Sequence, residues 1–255
     1  MNETINNLKK PFYHFSVDDV FNALIEISDR KIDVFEHPFF AFLKELHDEF
    51  DTNIDLYVFF QRKINGKLRT LRDVSGSIKQ ELINNPWIRF GPHGLDYYTP
   101  PYTQTLEEQV IVLDNIYREI YRFAGKENLS KWVRLHNFSE SYELKDYFHE
   151  KGVEAIFTTD REWITTRMPE ATNESLKLTG FAEYNGLMLI RSHIRVENIV
   201  NGRTGGNLTK LIGSYLNTQN HLIFFTHDYE LAREEVKEMT KKLLKELHSA
   251  GIPSL

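Results

Sequence analysis

The first apolar run of the chain, residues 12–20, reads Phe-Tyr-His-Phe-Ser-Val-Asp-Asp-Val and ends beside two adjacent carboxylates. Its aromatic and β-branched residues predict a strand over Phe12–Val17 that stops at Asp18 and Asp19. The following stretch, Val20–Ser28, has the apolar spacing of a helix, and either aspartate could be its N-cap. The segment therefore predicts a strand–helix unit with acidic side chains at the junction.

The same alternation of strands and helices continues along the chain. Further predicted strands are rich in β-branched and aromatic residues: 54–60, 87–90, 131–135, 153–157 and 222–225. Predicted helices lie between or after them: 39–50, 106–123, 142–151, 208–216 and 230–248. Glycine-proline at 91–92 is expected to stop the third strand, and residues 177–195 are expected to form a hairpin that turns at Asn185-Gly186. We therefore expect an α/β fold with a mainly parallel sheet.

Composition excludes several classes of function. The 255 residues include 31 Lys and Arg against 37 Asp and Glu, which gives a formal net charge of −6. Nucleic-acid binding needs clustered positive charge, so we expect no nucleic-acid partner. The chain has no cysteine. Any tight transition-metal site must therefore use histidine and carboxylate ligands.

Neither a membrane span nor a secretory signal is expected. No run of the sequence approaches the roughly 18 apolar residues that a transmembrane helix needs. The first residues lack the apolar segment of a secretory signal. We therefore expect a cytoplasmic protein; the sequence does not indicate its oligomeric state.

Polar side chains recur where the predicted strands end. In α/β folds of this kind, function lies beyond the carboxyl ends of the strands. The acidic, basic, amide and imidazole residues at these ends are Asp18, Asp19, Gln61, Arg62, His93, Arg134, His136, Asp160, His227 and Asp228. Adjacent carboxylates at such a place can divide the work of a hydrolase, since one can hold a metal while the other accepts a proton. The recurrence favours a catalytic face over scattered helix caps and surface charges.

The segment Phe15-Ser16-Val17-Asp18-Asp19-Val20 resembles the T-F-D-D-G motif of the polysaccharide deacetylases, the NodB-homology or carbohydrate esterase family 4 group. In that family the first aspartate is the catalytic base and the second is a metal ligand. The resemblance implies these roles for Asp18 and Asp19. It extends from Phe12 to about Gly251 and implies a distorted (β/α) barrel of about seven strands. Residues 1–255 would then form a single catalytic domain with a β-hairpin insertion around 177–195.

The segment 91–97, Gly-Pro-His-Gly-Leu-Asp-Tyr, lies where the family has its second motif. In the branch with H-G-x-x-H, both histidines bind the metal, and His93-Gly94 matches the first half. Tyr97 stands where the second histidine is expected. The resemblance therefore implies a divalent metal, zinc as the expected ion, held by Asp19 and His93. The third ligand stays open among Tyr97, Asp96 and His136.

Two later segments resemble the family's remaining catalytic motifs. Residues 132–138 lie where the family carries an R-P-P motif, which implies that Arg134 holds the carboxylate of Asp18 and keeps it ionised. Leu-His replaces Pro-Pro there. Residues 224–228 resemble the final L-H-D motif, which implies that His227 is the general acid. The ordinary histidine pKa of about 6.5 suits that role.

Residues 158–163 lie near the family's fourth motif, which supplies an acid and a tryptophan to the substrate groove. On this basis Asp160 and Trp163 are expected to bind substrate, together with Tyr97 and His136. Trp163 could equally be a core residue.

Three functional hypotheses follow. The first is a metal-dependent hydrolase acting on C–N bonds other than peptide bonds, which removes N-acetyl groups from an N-acetylated sugar or polysaccharide. The alternative is a catalytically impaired relative that binds carbohydrate or a partner without turnover, and Tyr97 is its main support. The third is a glycoside hydrolase that uses Asp19 and Asp160, which would need two carboxylates ~5–9.5 Å apart.

Overall fold

The computed structural model describes residues 10–139, 141–161, 168–184 and 186–255. The strands are β1 (Phe12–Val20), β2 (Ile54–Phe59), β3 (Gln61–Ile64), β4 (Lys67–Thr70), β5 (Ile88–Gly94), β6 (Trp132–Val133), β7 (Ala155–Thr158), β8 (Phe181–Tyr184), β9 (Leu187–Arg191), β10 (Ile194–Arg195) and β11 (His221–His227). The α-helices are α1 (Asn22–Arg30), α2 (Pro38–Phe50), α3 (Lys79–Ile83), α4 (Leu106–Phe123), α5 (Lys145–Glu150), α6 (Glu170–Thr179), α7 (Val196–Val200), α8 (Leu208–Gln219) and α9 (Glu234–Ser249).

The strands close into a distorted barrel. One sheet has the order β10-β11-β1-β2-β5 and a second has the order β6-β7-β9-β8, with parallel pairing except in the β8–β9 hairpin. The sheets meet on one side where Phe90 forms a parallel bridge with Leu129, just before β6. They meet on the other side where His193, between β9 and β10, donates its backbone N–H to the carbonyl of Ile223. The expected α/β barrel of about seven strands is therefore confirmed, with β9 and β10 as one bent strand.

Strand β1 shows how the sequence builds the two sides of the barrel wall. All nine of its residues are buried. Successive side chains of a strand point to opposite faces, so odd and even positions separate. Phe15 and Val17 pack into the apolar layer between the strands and the surrounding helices. His14 and Ser16 instead face the interior, where His14 contacts Asp55 of β2 and Ser16 contacts Arg134, which follows β6.

Two sequence-based boundaries are wrong for local reasons. Strand β1 continues through the aspartates, and α1 begins at Asn22 after Phe21, with no side-chain cap. Neither carboxylate is therefore an N-cap. Strand β5 likewise runs through Gly91 and Pro92 to Gly94, because Pro92 lies at the edge of its sheet, next to an irregularity in the pairing with β2.

Other predicted elements appear close to their expected places. Helix α4 has the expected bounds, and Thr105 caps it by accepting the backbone N–H of Glu108. Strands β8 and β9 form an antiparallel hairpin inside the expected range, although Asn185 of its turn lies outside the described residues. The β3–β4 hairpin and α6 were not anticipated. Within the described ranges, no helix combines the length and hydropathy needed to cross a bilayer.

Candidate active site at the carboxyl ends of the strands

A cleft of about 570 Å³ opens at the carboxyl ends of the barrel strands. Five of its lining residues are those that the sequence assigned to catalysis or metal binding: Asp18, Asp19, His93, Arg134 and His227. Asp18 and His227 lie opposite each other in the register of β1 and β11. Strand pairing thus brings together residues more than 200 positions apart in the chain.

The backbone of β1 explains how two neighbouring aspartates reach one cleft. In a regular strand, Asp18 and Asp19 would point to opposite faces of the sheet. Asp19 instead has a left-handed backbone with φ of 63°, and the pairing of β1 with β2 is irregular between Val17 and Val20. Aspartate tolerates this region better than most residues, at a cost of about 1–3 kcal/mol. The bend turns both carboxylates toward the cleft.

Arg134 fixes the carboxylate of Asp18. Its Nη1 lies 3.0 Å from Asp18 Oδ1 and donates a second hydrogen bond of 2.6 Å to the hydroxyl of Ser16. The guanidinium is only 1% exposed and stacks on the rings of Phe225 and Phe157, at 4.2 and 4.7 Å from their centroids. A buried guanidinium held on several sides can orient a carboxylate more strictly than a surface ion pair can.

Asp19 and two imidazoles bring three ligand atoms together. Asp19 Oδ1 lies 3.1 Å from His93 Nε2 and 3.7 Å from His136 Nδ1, and the two nitrogens are 3.3 Å apart. All three residues are buried, and their ligand atoms fit the spacing of a metal-ion site. His136 comes from the turn after β6, so the third ligand position is filled by a residue far along the chain from the second motif.

Backbone carbonyls set the tautomers of both imidazoles. His93 Nδ1 lies 2.7 Å from the carbonyl of Arg134, and His136 Nε2 lies 3.0 Å from the carbonyl of Tyr97. Carbonyl oxygens only accept, so these nitrogens carry the protons and the other nitrogen of each neutral ring has a free lone pair. Asp19 Oδ1 is buried and accepts no hydrogen bond from any described residue. Three acceptors without a donor between them fit a divalent cation.

The charge states also suit metal ligands. Burial raises the pKa of Asp19, but the surrounding imidazoles of His93, His227 and His136 together lower it more, so the pKa lies below its usual value. Burial, followed by the neighbouring His93, lowers the pKa of His136 to about 4. At neutral pH Asp19 is therefore a carboxylate and His136 is neutral, as metal ligation requires. One carboxylate oxygen and two imidazole nitrogens form a donor set that zinc accepts.

The other two candidates for the third ligand have different contacts. The side chain of Tyr97 is 54% exposed, and it is the backbone carbonyl of this residue that orients His136. Asp96 accepts hydrogen bonds from the side chain of Gln61 and from the backbone of Tyr98. Of the three residues left open by the sequence, His136 is the one that the structure places beside Asp19 and His93.

His227 has a carboxylate partner that the sequence analysis did not identify. Its Nδ1 lies 2.6 Å from Glu197 Oε1, while the hydroxyl of Thr226 donates to the other oxygen at 3.0 Å. Burial lowers the pKa of His227, but the hydrogen bond and charge of Glu197 raise it more, so the pKa lies above the usual value. Glu197 lies on the short helix α7, in a segment to which the sequence assigned no chemistry. The signal that could have identified Glu197 is an acidic residue beside apolar residues in a short helix, Val-Glu-Asn-Ile-Val, where the glutamate is buried.

Of the residues that were expected to bind substrate, some line the cleft and others do not. Tyr97 and His136 line the cleft. Asp160 does not belong to the described lining and instead pairs with Arg195, whose Nη2 lies 3.0 Å from its Oδ1. Trp163 lies outside the described residues. Arg195, which was not among the expected residues, thus lines the cleft and binds Asp160.

Comparison with known proteins supports the fold, and the chemistry has to be argued from the residues of the site. No family model matches the sequence, and no curated protein matches it either. A peptidoglycan N-acetylglucosamine deacetylase superposes with a TM-score of 0.56 at 9% identity, over 97% of this chain and 86% of that one. A 4-alpha-glucanotransferase from Thermococcus litoralis gives the same TM-score at 12% identity, over 96% of this chain but only 39% of that one. The chain therefore has the barrel fold found in the polysaccharide deacetylases, and a protein with a different activity shares it.

Proposed function

We propose that this protein is a metal-dependent hydrolase that removes N-acetyl groups from a carbohydrate. The observation that carries the proposal is the convergence of three free ligand atoms, from Asp19, His93 and His136, beside a second carboxylate and a protonatable imidazole. Similarity to a peptidoglycan N-acetylglucosamine deacetylase supports an N-acetylated polysaccharide as the class of substrate. The fold alone does not decide the reaction, because fold and function are separable.

Asp19, His93 and His136 would hold the cation, for which we propose zinc. A divalent cation in this place supplies polarisation of a bound carbonyl and a lower pKa for water. The contribution of the chain is to keep its three ligands in the unprotonated state and in one orientation. The carbonyls of Arg134 and Tyr97 fix the orientation by accepting the N–H of the far nitrogen of each imidazole, and burial keeps His136 unprotonated.

Asp18 and His227 would divide the proton transfers. Water adds to the amide carbonyl and gives a proton to Asp18, whose carboxylate Arg134 orients. The C–N bond then breaks, and the leaving nitrogen takes a proton from His227. The hydrogen bond and charge of Glu197 raise the pKa of His227 and so favour the protonated imidazole. Acetic acid and a free amine are the products, and return of the proton from Asp18 to His227 through solvent restores both groups, so atoms and protons balance.

The two rival hypotheses have less support from the geometry. Binding without turnover was favoured by Tyr97 in place of a histidine, but the ligand atom of His136 stands beside the other two. A glycoside hydrolase would need Asp19 and Asp160 free to act across a sugar. Asp19 instead contacts two imidazoles, and Asp160 is held by Arg195.

Release of acetate tests the proposal. We expect the zinc-reconstituted protein to release acetate from N-acetylglucosamine oligomers, and Asp18→Asn to abolish most of this activity while keeping the fold. Asp146→Asn is the matched control, because Asp146 is an exposed carboxylate outside the cleft lining. No acetate release with several divalent metals and several acetylated sugars would favour the binding-only alternative.

A further inference from the structure

The cleft contains more positive charge than the proposed reaction uses. Three arginines line it: Arg134, Arg161 and Arg195. Arg134 is paired with Asp18, and Arg195 is paired with Asp160. Within the described ranges, the side chain of Arg161 has neither an ion pair nor a hydrogen bond, and the residue is exposed. Among the described residues, this guanidinium at the cleft therefore has no carboxylate partner.

Arg195 is rigidly placed and still has donors to offer. Its guanidinium packs against the rings of Phe225 and Phe138, at 5.1 and 5.8 Å from their centroids. Only Nη2 is engaged by Asp160, and the buried Nε has no hydrogen-bond partner among the described residues. A guanidinium carries five N–H donors, so this side chain can bind a second acceptor without giving up Asp160.

The two arginines belong to one wall of the cleft. Asp160, which holds Arg195, is the residue directly before Arg161. Thr159, before Asp160, lines the cleft and accepts the backbone N–H of Arg161 at its hydroxyl. We call this part of the cleft, formed by Thr159, Arg161 and Arg195, the arginine wall. Counting described residues only, it has two guanidinium groups against the one carboxylate of Asp160, which gives this part of the cleft a net positive charge.

We propose that the arginine wall binds an anionic substituent of the substrate, so that the protein acts on an acidic N-acetylated sugar in preference to a neutral one. A carboxylate or a phosphate would fit, since both accept paired N–H donors from guanidinium groups. The wall also offsets the repulsion that Asp18 and Asp19 exert on an anionic substrate. The statement that the bound molecule is a substrate rests on the proposed function. Binding of the anion depends on the arginines and not on turnover.

Binding by the chelator-treated protein tests this, since removal of metal prevents an anion from binding to a cation instead. Two pairs of probes are compared by NMR titration. The first pair is the disaccharide of glucuronic acid and N-acetylglucosamine and the methyl ester of the same disaccharide. The second pair is N-acetylglucosamine 6-phosphate and N-acetylglucosamine. We expect the charged member of at least one pair to bind about tenfold more tightly, and the pair that shows the preference identifies the anion.

Three variants locate the effect. Arg161→Gln should remove most of the preference, and Arg161→Lys should retain part of it, because it keeps the charge but loses the paired donors. Arg118→Gln is the matched control: it removes an exposed arginine from the outer helix α4, away from the cleft lining. It should leave the preference unchanged. Equal binding of charged and neutral probes would overturn the inference, and so would a preference that survives Arg161→Gln.

The outcomes separate this inference from the proposed function. Acetate release by the zinc-reconstituted protein from both members of a pair, with equal binding of the two by the chelator-treated protein, would support the deacetylase and overturn the arginine wall. A binding preference that depends on Arg161, with no acetate release from any probe, would support the arginine wall and overturn the deacetylase.

Discussion

The barrel interior has two clusters that contain histidine, aspartate and arginine, one at each end. The lower cluster lies at the amino ends of the strands and consists of His14, Asp55, Arg89 and Ser130. Asp55 accepts hydrogen bonds from the other three, and Arg89 also binds the carbonyl of the last residue, Leu255. The upper cluster is the candidate active site. The two clusters have similar residue types, so composition alone does not distinguish a structural network from a site.

The difference lies in what the polar atoms face. In the lower cluster one carboxylate takes donors from every side, and only His14 Nδ1 has no partner among the described residues. In the upper cluster three acceptors face one another, and the cluster opens into a cleft. The upper backbone is also strained, since three residues that line the cleft, Asp19, Asn137 and Phe138, have left-handed φ values. Unmatched acceptors and backbone strain, more than a His–Asp pair, indicate the functional end.

The largest effect is expected for the general acid of the upper cluster. His227→Ala should lower kcat by roughly 10²–10⁴ while leaving substrate binding nearly intact. The parent should lose activity at alkaline pH, above the ordinary histidine pKa of about 6.5, because Glu197 raises the pKa of His227. Glu197→Gln should move this alkaline limb to lower pH. An unshifted limb would remove Glu197 from the mechanism.

The lower cluster should behave in the opposite way. Asp55→Ala leaves the Arg89 guanidinium without its carboxylate and should lower the free energy of unfolding by about 3–5 kcal/mol. Zinc affinity, measured on the folded fraction, should stay within about threefold of the parent, well under the tenfold that corresponds to 1.4 kcal/mol. Denaturant titration and calorimetry measure the two quantities. A variant of unchanged stability would contradict the view that this cluster is structural.

Within the upper cluster, substitutions of His136 and Tyr97 distinguish a metal ligand from a residue that only orients one. His136→Ala should weaken zinc binding by more than about 100-fold, beyond the usual loss for a residue that only orients a ligand. Tyr97→Phe should change it little, because the backbone carbonyl of Tyr97 makes the contact. Zinc titration after chelator treatment checks both. Equal, small losses would mean that His136 is not a ligand.

The sequence identified only those members of the upper cluster that lie at the ends of strands. Asp18, His93 and His227 were found because each lies at the end of a strand, and parallel strands end at one edge. Glu197 was missed because it lies on a short helix and reaches the site through packing. His136 was one of three open choices, because its orientation depends on the turn geometry of Asn137 and Phe138, which no spacing rule predicts. The alternation of strands and helices sufficed for the α/β class with a mainly parallel sheet, whereas the barrel of about seven strands was implied by the resemblance of the motifs.

The smallest effect concerns pH and a histidine at the amino end of β11. Burial lowers the pKa of His221 to about 4, whereas the unfolded chain should have a value of about 6.5. Between these values the unfolded state binds more protons, so the free energy of unfolding should fall as pH decreases from about 6.5 to about 4. One such group contributes a slope of about 1.4 kcal/mol per pH unit.

His221→Gln should reduce the slope of stability against pH by about one proton, while zinc affinity and activity stay as in the parent. His149→Gln is the control, because His149 is exposed and its loss removes a histidine without removing a buried one. Urea titrations of the metal-free protein at several pH values between about 4 and 7 measure the slope. Were His221→Gln to lower zinc affinity as well, the two ends of the barrel would be coupled, and their separation into a structural cluster and a functional one would have to be abandoned.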